Sequence, residues 1–167
     1  MPKQLLTTII ISLMIAGGLT LVWYWQTDPE RQIEKTLTAM AELGSSPAGE
    51  SSIAKTLKTR RLIEYFSDNA FIEWPGDEVI PAGRWTGREQ ISQQVLVLAA
   101  KNSANYSVSL TDLTIEVKRR PAGAGAQFTL VVREGLDTWA WLAEADLAKI
   151  ERRWLVSQLI FKPILRP

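Results

Sequence analysis

The chain has 167 residues, enough for one domain of ordinary size and an appendage. Its 19 Lys+Arg against 18 Asp+Glu leave a net charge of +1, and the concentrated basic face of a nucleic-acid binder is missing. It contains no Cys and no His, which excludes disulfides, thiolate nucleophiles, Cys- or His-ligated metals and Ser-His-Asp triads. Catalysis, if any, rests on Asp, Glu, Lys, Tyr or a hydroxyl. No tight carboxylate cluster suggests a metal, and nothing points to a cofactor.

From the amino terminus, a short tail (1–4) precedes "LLTTIIISLMIAGGLTLVWYW" (5–25), which carries no charge. As a helix rising about 1.5 Å per residue, this run spans roughly 30 Å, the hydrocarbon thickness of a bilayer. Trp23, Tyr24 and Trp25 suit the membrane–water boundary. Lys3 lies before the run and Asp28 and Glu30 after it, so the positive-inside bias predicts a cytoplasmic amino terminus. The expectation is a single-pass protein of a bacterial inner membrane, with residues 28–167 on the periplasmic or extracytoplasmic side. Ala16-Gly17-Gly18 offers the alternative of a cleaved signal peptide, which would expose "LTLVWYW" as a new terminus.

Asp28 and Pro29 make a helix start, an N-cap followed by a first-turn proline. The helix carries Ile33, Leu37, Met40 and Leu43 on one face and ends at Gly44, before the turn "GSSPAG" (44–49). Ser51 or Ser52 caps a second helix, predicted to turn Ile53, Leu57, Leu62 and Phe66 inward. "NAFIEW" (69–74) reads as a short strand and "PGDEVIPAGRW" (75–85) as a loop. A third helix follows Thr86-Gly87, with Ile91, Val95, Leu98 and Ala99 on one face. Beyond it the apolar residues alternate. Tyr106, Val108 and Leu110 share one parity, whereas Leu113, Ile115 and Val117 share the other, which implies a bulge near Thr111-Asp112. The loop "RRPAGAGA" and the strands "QFTLVVRE", "DTWAWLAEA" and "RWLVSQLIF" complete the chain.

Helices followed by about four long strands is an α+β plan. A curved antiparallel sheet wrapped around about three helices leaves a conical hollow. The aromatic residues predicted to line it are Phe66, Phe71, Trp74, Trp85, Tyr106, Trp139, Trp141 and Trp154. Rigid indoles in such places either line a pocket or pack a core.

"YFSDNAFIEWPGDEVIPAGRWTGREQI" (65–91) resembles the nuclear transport factor 2-like superfamily, particularly its SnoaL and ketosteroid isomerase branch. Phe66, Asp68, Ala70, Pro75, Gly76, Gly87, Arg88, Glu89 and Ile91 carry the likeness. It implies a cone-shaped, cystatin-like fold over about residues 29–162. It also implies a place for a catalytic acid, since the isomerase branch uses an Asp base with a Tyr and a protonated Asp as oxyanion donors. The base's position, just before the lip proline, is Trp74 here. Glu73 is one residue away, so on a strand it faces the opposite side. The first soluble helix (29–43) has no tyrosine. The residues left for acid–base work are Glu73, Tyr65, Asp137 and Glu144, while Asp146 reads as solvated.

The leading expectation is therefore a membrane-tethered, non-catalytic binding or assembly module holding a small apolar ligand or an envelope protein. The alternatives are an isomerase- or dehydratase-type enzyme with a displaced carboxylate, and a scaffold subunit of an envelope secretion complex. A homodimer through the outer sheet face, using Trp139 or Trp141, is the expected mode of self-association.

Overall fold

The structure, a computed structural model, describes residues 28–76, 80–101, 105–118 and 122–164, without the side chains of 98–101. The expected membrane span and its possible cleavage lie outside these residues, as do the inward faces of Leu98 and Ala99. Among the described residues no helix is long and apolar enough to cross a membrane.

Helix α1 (Pro29–Gly44) starts where local chemistry dictates. The Asp28 carboxylate accepts the Glu30 N–H at 3.1 Å, and Pro29 occupies the first turn. Its buried stripe is Ile33, Leu37 and Ala41, a four-residue repeat that keeps one side on the sheet. Helix α2 (Ser52–Ile63) is capped by Ser51, whose hydroxyl accepts the Ala54 N–H.

On α2 the predicted inward face holds at Leu62 but not at Ile53 and Leu57. Ile53 and Leu57 stand 72% and 51% exposed, and Thr59 is buried instead. At about 100° per residue, Thr59 lies roughly 160° around the helix from Leu57. A stripe through Thr59, Leu62 and Ile63 meets the core, so the 53/57 pair must face away. Burial of Thr59 is tolerable because its hydroxyl bonds back to the Lys55 carbonyl at 3.0 Å. Phe66 is not helical at all; it opens the first strand.

The sheet has six strands, the four long ones expected and two shorter ones, in the order β2-β1-β6-β5-β4-β3. They are β1 (Phe66–Trp74), β2 (Gly83–Thr86), β3 (Tyr106–Lys118), β4 (Gly123–Glu134), β5 (Asp137–Ile150) and β6 (Arg153–Pro163). The four long strands β3 to β6 pair antiparallel, as does β1 with β2, but β1 lies parallel to β6. Helix α3 (Gly87–Lys101) connects β2 to β3.

Three irregularities bend this sheet. The β3–β4 register shifts between Thr111 and Thr114, with Asp112 at φ 54°, where the parity switch in the sequence predicts a bulge. Others lie at Ser157 in β6, the extra residue opposite the Asp146–Leu147 step of β5, and between Phe66 and Phe71 in β1. Bulges bend and twist the strand that carries them. The concave side holds the core, in which Ala124, Ala126, Ala143 and Ala145 lie at the sheet's centre. Their small side chains let the helix layer come close.

Two backbone features shape the lip region. Gly87 at φ +82° passes the chain from β2 into α3, and an added Cβ there would sit 3.7 Å from the Asp68 carbonyl oxygen, at ordinary contact distance. Gly76 at φ +90° is tighter, since a Cβ would fall 2.8 Å from the Ala82 backbone nitrogen. Arg88 then ties α3 to β1. Its Nε donates to the Phe66 carbonyl at 2.7 Å, and its Nη1 pairs with Asp68 at 2.9 Å.

Gly87→Ala is expected to cost about 1 kcal/mol, the left-handed penalty alone. Gly76→Ala should cost about 2–4 kcal/mol because strain and a backbone clash add. Chemical denaturation of both variants checks the order. In the same assay Arg88→Ala should cost about 1.5–3 kcal/mol, as a charged donor to a carbonyl is lost. Asp68→Ala should cost under about 1 kcal/mol, because that ion pair is exposed.

Candidate functional site

Between α1, α3 and the concave face lies a cavity of about 270 Å³. Leu37 and Met40 form its helical wall, Phe128 and Leu130 its floor on β4, and Trp74 and Phe161 one end. Among the described residues, Gln94 of α3 is the only lining residue with a polar side chain besides the indoles of Trp74 and Trp85. Sequence reasoning missed Gln94. Its spacing of three from the buried Ile91, which puts both on one helix face, is the signal that would have found it.

Of the eight aromatic residues expected to line the hollow, Phe66, Trp74 and Trp85 do so. Trp141 supports Trp74 from behind, with ring centroids 5.1 Å apart, and Phe161 meets Trp74 edge-on at 5.0 Å. Trp154 belongs to the core at 5% exposure. Phe71 lies on the convex face under the Arg84 guanidinium, 3.6 Å from its ring centroid. Tyr106 faces a separate recess beside the α1–α2 turn.

The structure also corrects the expected role of Trp139 and Trp141 on the outer face. Trp141 pairs across strands with Leu130 and Trp139 with Val132. Leu130 lines the cavity, and strand parity puts all four residues on the concave side. Neither indole is available to a contact through the outer face. Trp139, 40% exposed, sits near the strand end.

None of the candidate acids enters the hollow. Glu73 is exposed on the opposite face from Trp74, across from Arg84 in β2 and Ile160 in β6. A bulge could have reversed that parity, but the β1 irregularity ends at Phe71, and the ladder is regular from Phe71 to Glu73. Tyr65 follows α2 and lines a surface groove with Glu42, Arg61 and Arg153. Asp137 is exposed at the start of β5. Glu144 and Asp146 lie on the convex face with Gln127 and Gln158, and Glu144 pairs with Lys162 at 2.6 Å. The described lining therefore offers no group to lift or deliver a proton.

The indole N–H of Trp74 is buried without a hydrogen-bond partner. Such a donor costs about 1–3 kcal/mol when left unmet. It is tolerated beside a cavity whose walls are otherwise apolar.

No protein-family model and no curated protein sequence matches the chain. Solved structures do. A protein from Streptomyces avermitilis assigned as a dehydratase of the NTF2-like family superposes with a TM-score of 0.64 at 15% identity, over 81% of this chain and 96% of that one. A protein from Novosphingobium aromaticivorans assigned as a scytalone dehydratase gives 0.62 at 12% identity, over 83% and 94%. A protein of unknown function with a cystatin-like fold from Nostoc punctiforme gives 0.60 at 12% identity, over 81% and 92%. The chain has the NTF2-like fold. At these identities the likeness concerns the fold alone. Within the NTF2-like fold, the "GREQI" stretch is structural. Gly87 makes the turn, Arg88 clamps β1, and Gln90 accepts the Thr86 N–H at 3.0 Å to close the start of α3.

Among the described residues, Tyr106 is the one group whose titration stands out. Its phenol pKa is raised above the ordinary 10.0 by burial first, then by the negative charges of Glu50 and Glu134. The folded state thus holds the phenol proton more tightly than the unfolded chain does. That contribution to stability is complete below about pH 10 and is lost as pH rises through the folded pKa. Tyr106→Phe should remove a late-titrating tyrosinate from the alkaline ultraviolet titration. Relative to this variant, the natural protein should lose stability more steeply above about pH 10.

Proposed function

We propose that the protein is a non-catalytic binding module whose cone holds a compact apolar molecule. The observation that carries this reading is the cavity wall, in which a tryptophan stands where a proton-abstracting acid would be required and, among the described residues, no carboxylate appears. Walls of this kind bind by excluding water from apolar surface, with a few polar groups fixing orientation. The described walls present almost no polar surface, so apolar contact supplies the recognition.

The dehydratase assignments of the similar structures belong to those proteins. An acid–base mechanism needs a titratable group within hydrogen-bond reach of the substrate. Glu73, Asp137 and Glu144 all stand outside the cone. The uncharged stretch 5–25 supports a second part of the proposal, that the domain is tethered to a membrane and displayed on its non-cytoplasmic side.

Methyl-resolved NMR of the full chain, titrated with naphthalene, tests the binding reading. The methyls of Ile72 and Leu130 should shift saturably, while those of the exposed Ile53 and Ile164 stay unchanged. Unmoved cavity methyls would overturn it.

A further inference from the structure

Cations from separate stretches of sequence meet at the end of the sheet away from the cavity. β3 stops there at Lys118, which pairs with Gly123, and Gly123 pairs in turn with Ala148. Two strand spacings, about 10 Å, therefore separate Lys118 from the end of β5. β5 turns into β6 through Glu151 and Arg152, between the paired Ile150 and Arg153. Lys118, Lys149, Arg152 and Arg153 are all exposed, and among the described residues Lys118, Arg152 and Arg153 have no ion-pair partner. Arg153 borders a groove that Glu42 and Glu64 share with Lys58 and Arg61, so its charge is the most nearly balanced of the four. Within the turn itself only Glu151 opposes them.

This turn is built against local preference. Glu151 at φ 48° and Arg152 at φ 68° both hold left-handed backbone. A two-residue hairpin of that shape favours Asn-Gly, which reaches positive φ at little cost. The chain keeps two long charged side chains there instead, and strain retained where a cheaper residue would serve points to function. Beside them Ile150 stands 43% exposed. An apolar side chain among cations suits an anionic lipid surface, where the cations meet headgroups and the isoleucine meets the acyl boundary. A nucleic-acid strand would instead want an exposed ring to stack on, and the indole at this hairpin, Trp154, is only 5% exposed.

The same end of the molecule faces the start of the domain. α1 finishes at the first residues of β3, tied there by Ser46 to Tyr106, and it packs along that strand. Its cavity-lining residues, Leu37 to Gly44, are in its second half, whereas Ile33 belongs to the core with Leu147 and Trp154. The first turn of α1 therefore lies toward the end where β3 stops and β5 turns back. Only Gln26 and Thr27 separate the uncharged stretch from Asp28, a reach of about 11 Å at most. Asp28 and Arg31 pair with each other at 3.4 Å, so the attraction comes from the hairpin and not from the helix start.

We infer that the β5–β6 hairpin docks the domain on an anionic lipid bilayer, with Lys149 and Arg152 on headgroups and Ile150 at the acyl boundary. The orientation rests on the tether proposed above. Docked this way, the cone's cavity points away from the membrane.

Docking is read on the 15N-labelled full chain in nanodiscs of phosphatidylcholine, with and without phosphatidylglycerol, each carrying a gadolinium-chelating lipid. Relaxation enhancement is expected at the Lys118, Ile150 and Arg152 amides, growing severalfold with phosphatidylglycerol and collapsing in high salt. Gly135 and Leu136, at the opposite end of the sheet, should stay silent. Lys149→Ala should lower the docked-to-undocked ratio about fivefold, one cation's worth at a lipid surface. Arg152→Gly should lower it comparably while raising the midpoint of chemical denaturation, because glycine relieves the turn. An arginine with a merely structural role would not split those two readouts. Equal enhancement in both lipids, enhancement at Gly135 and Leu136 instead, or no loss in either variant would each overturn the inference. So would a response of the hairpin amides to an RNA oligonucleotide and not to phosphatidylglycerol. Incorporation into the phosphatidylcholine discs reports the tether separately. A chain that stays out refutes the tether, and phosphatidylglycerol vesicles then put the docking question to the same amides, with silence overturning it.

Discussion

The cone depends on how α3 is held to the irregular start of β1. Between Phe66 and Phe71 the ladder from β1 to β6 loses its register, and a strand interrupted in this way needs another partner to stay in place. Arg88 provides it, reaching back to the Phe66 carbonyl at 2.7 Å and to Asp68 at 2.9 Å. The two contacts are unequal. Asp68 is 84% exposed and its pairing is screened by water, whereas the carbonyl belongs to a residue only 2% exposed. The carbonyl bond fixes the near end of α3, and with it the position of Ile91 over the sheet.

Once the irregularity closes at Phe71, strand parity decides the chemistry. Ile72 and Trp74 turn to the hollow, and Phe71 and Glu73 turn away. Phe71 lies beneath Arg84, and Glu73 is opposite Arg84 on the neighbouring strand, so the convex face keeps the charge. Moving Glu73 into the cone would require a one-residue slip of β1. That slip would bring Ile72 and Trp74 out of an apolar cluster and put a carboxylate into it, a change opposed by every buried neighbour. The silence of this position is therefore enforced by the packing and not by one side chain alone.

Much of this was readable from the residues. Asp28-Pro29 as a helix start, the parity switch at Thr111-Asp112, and the opposed faces of Glu73 and Trp74 all follow from local rules, and the structure shows each of them. Ile53 and Leu57 misled because helical periodicity identifies an apolar stripe but not which stripe the rest of the chain covers. On α2 the covered one runs through Thr59, a polar residue whose hydroxyl is satisfied within its own helix. Trp139 and Trp141 misled for a related reason, since an indole on a strand does not reveal which face of the sheet is concave. The parallel pairing of β1 with β6 is a contact across most of the chain, and no local pattern announces it.

Polar and apolar burial are kept apart in this molecule. Among the described residues, the cone gathers aliphatic and aromatic walls with Gln94 as the one liner that carries an amide, while the buried Glu50 carboxylate pairs with the partly exposed Lys58 at a recess of its own. The separation has a physical basis. A carboxylate inside the cone would face desolvation with few donors nearby, whereas at the α1–α2 turn Lys58 and exposed backbone lie within reach. Tyr106 at the head of β3 shows the consequence, its phenol held neutral by burial and by the adjacent acid. One end of β3 thus borders a charged niche, and two and four residues along, Val108 and Leu110 border an apolar one. A strand that alternates faces cannot itself make that change; it comes from the helices above, where α1 gives way to the turn that carries Glu50.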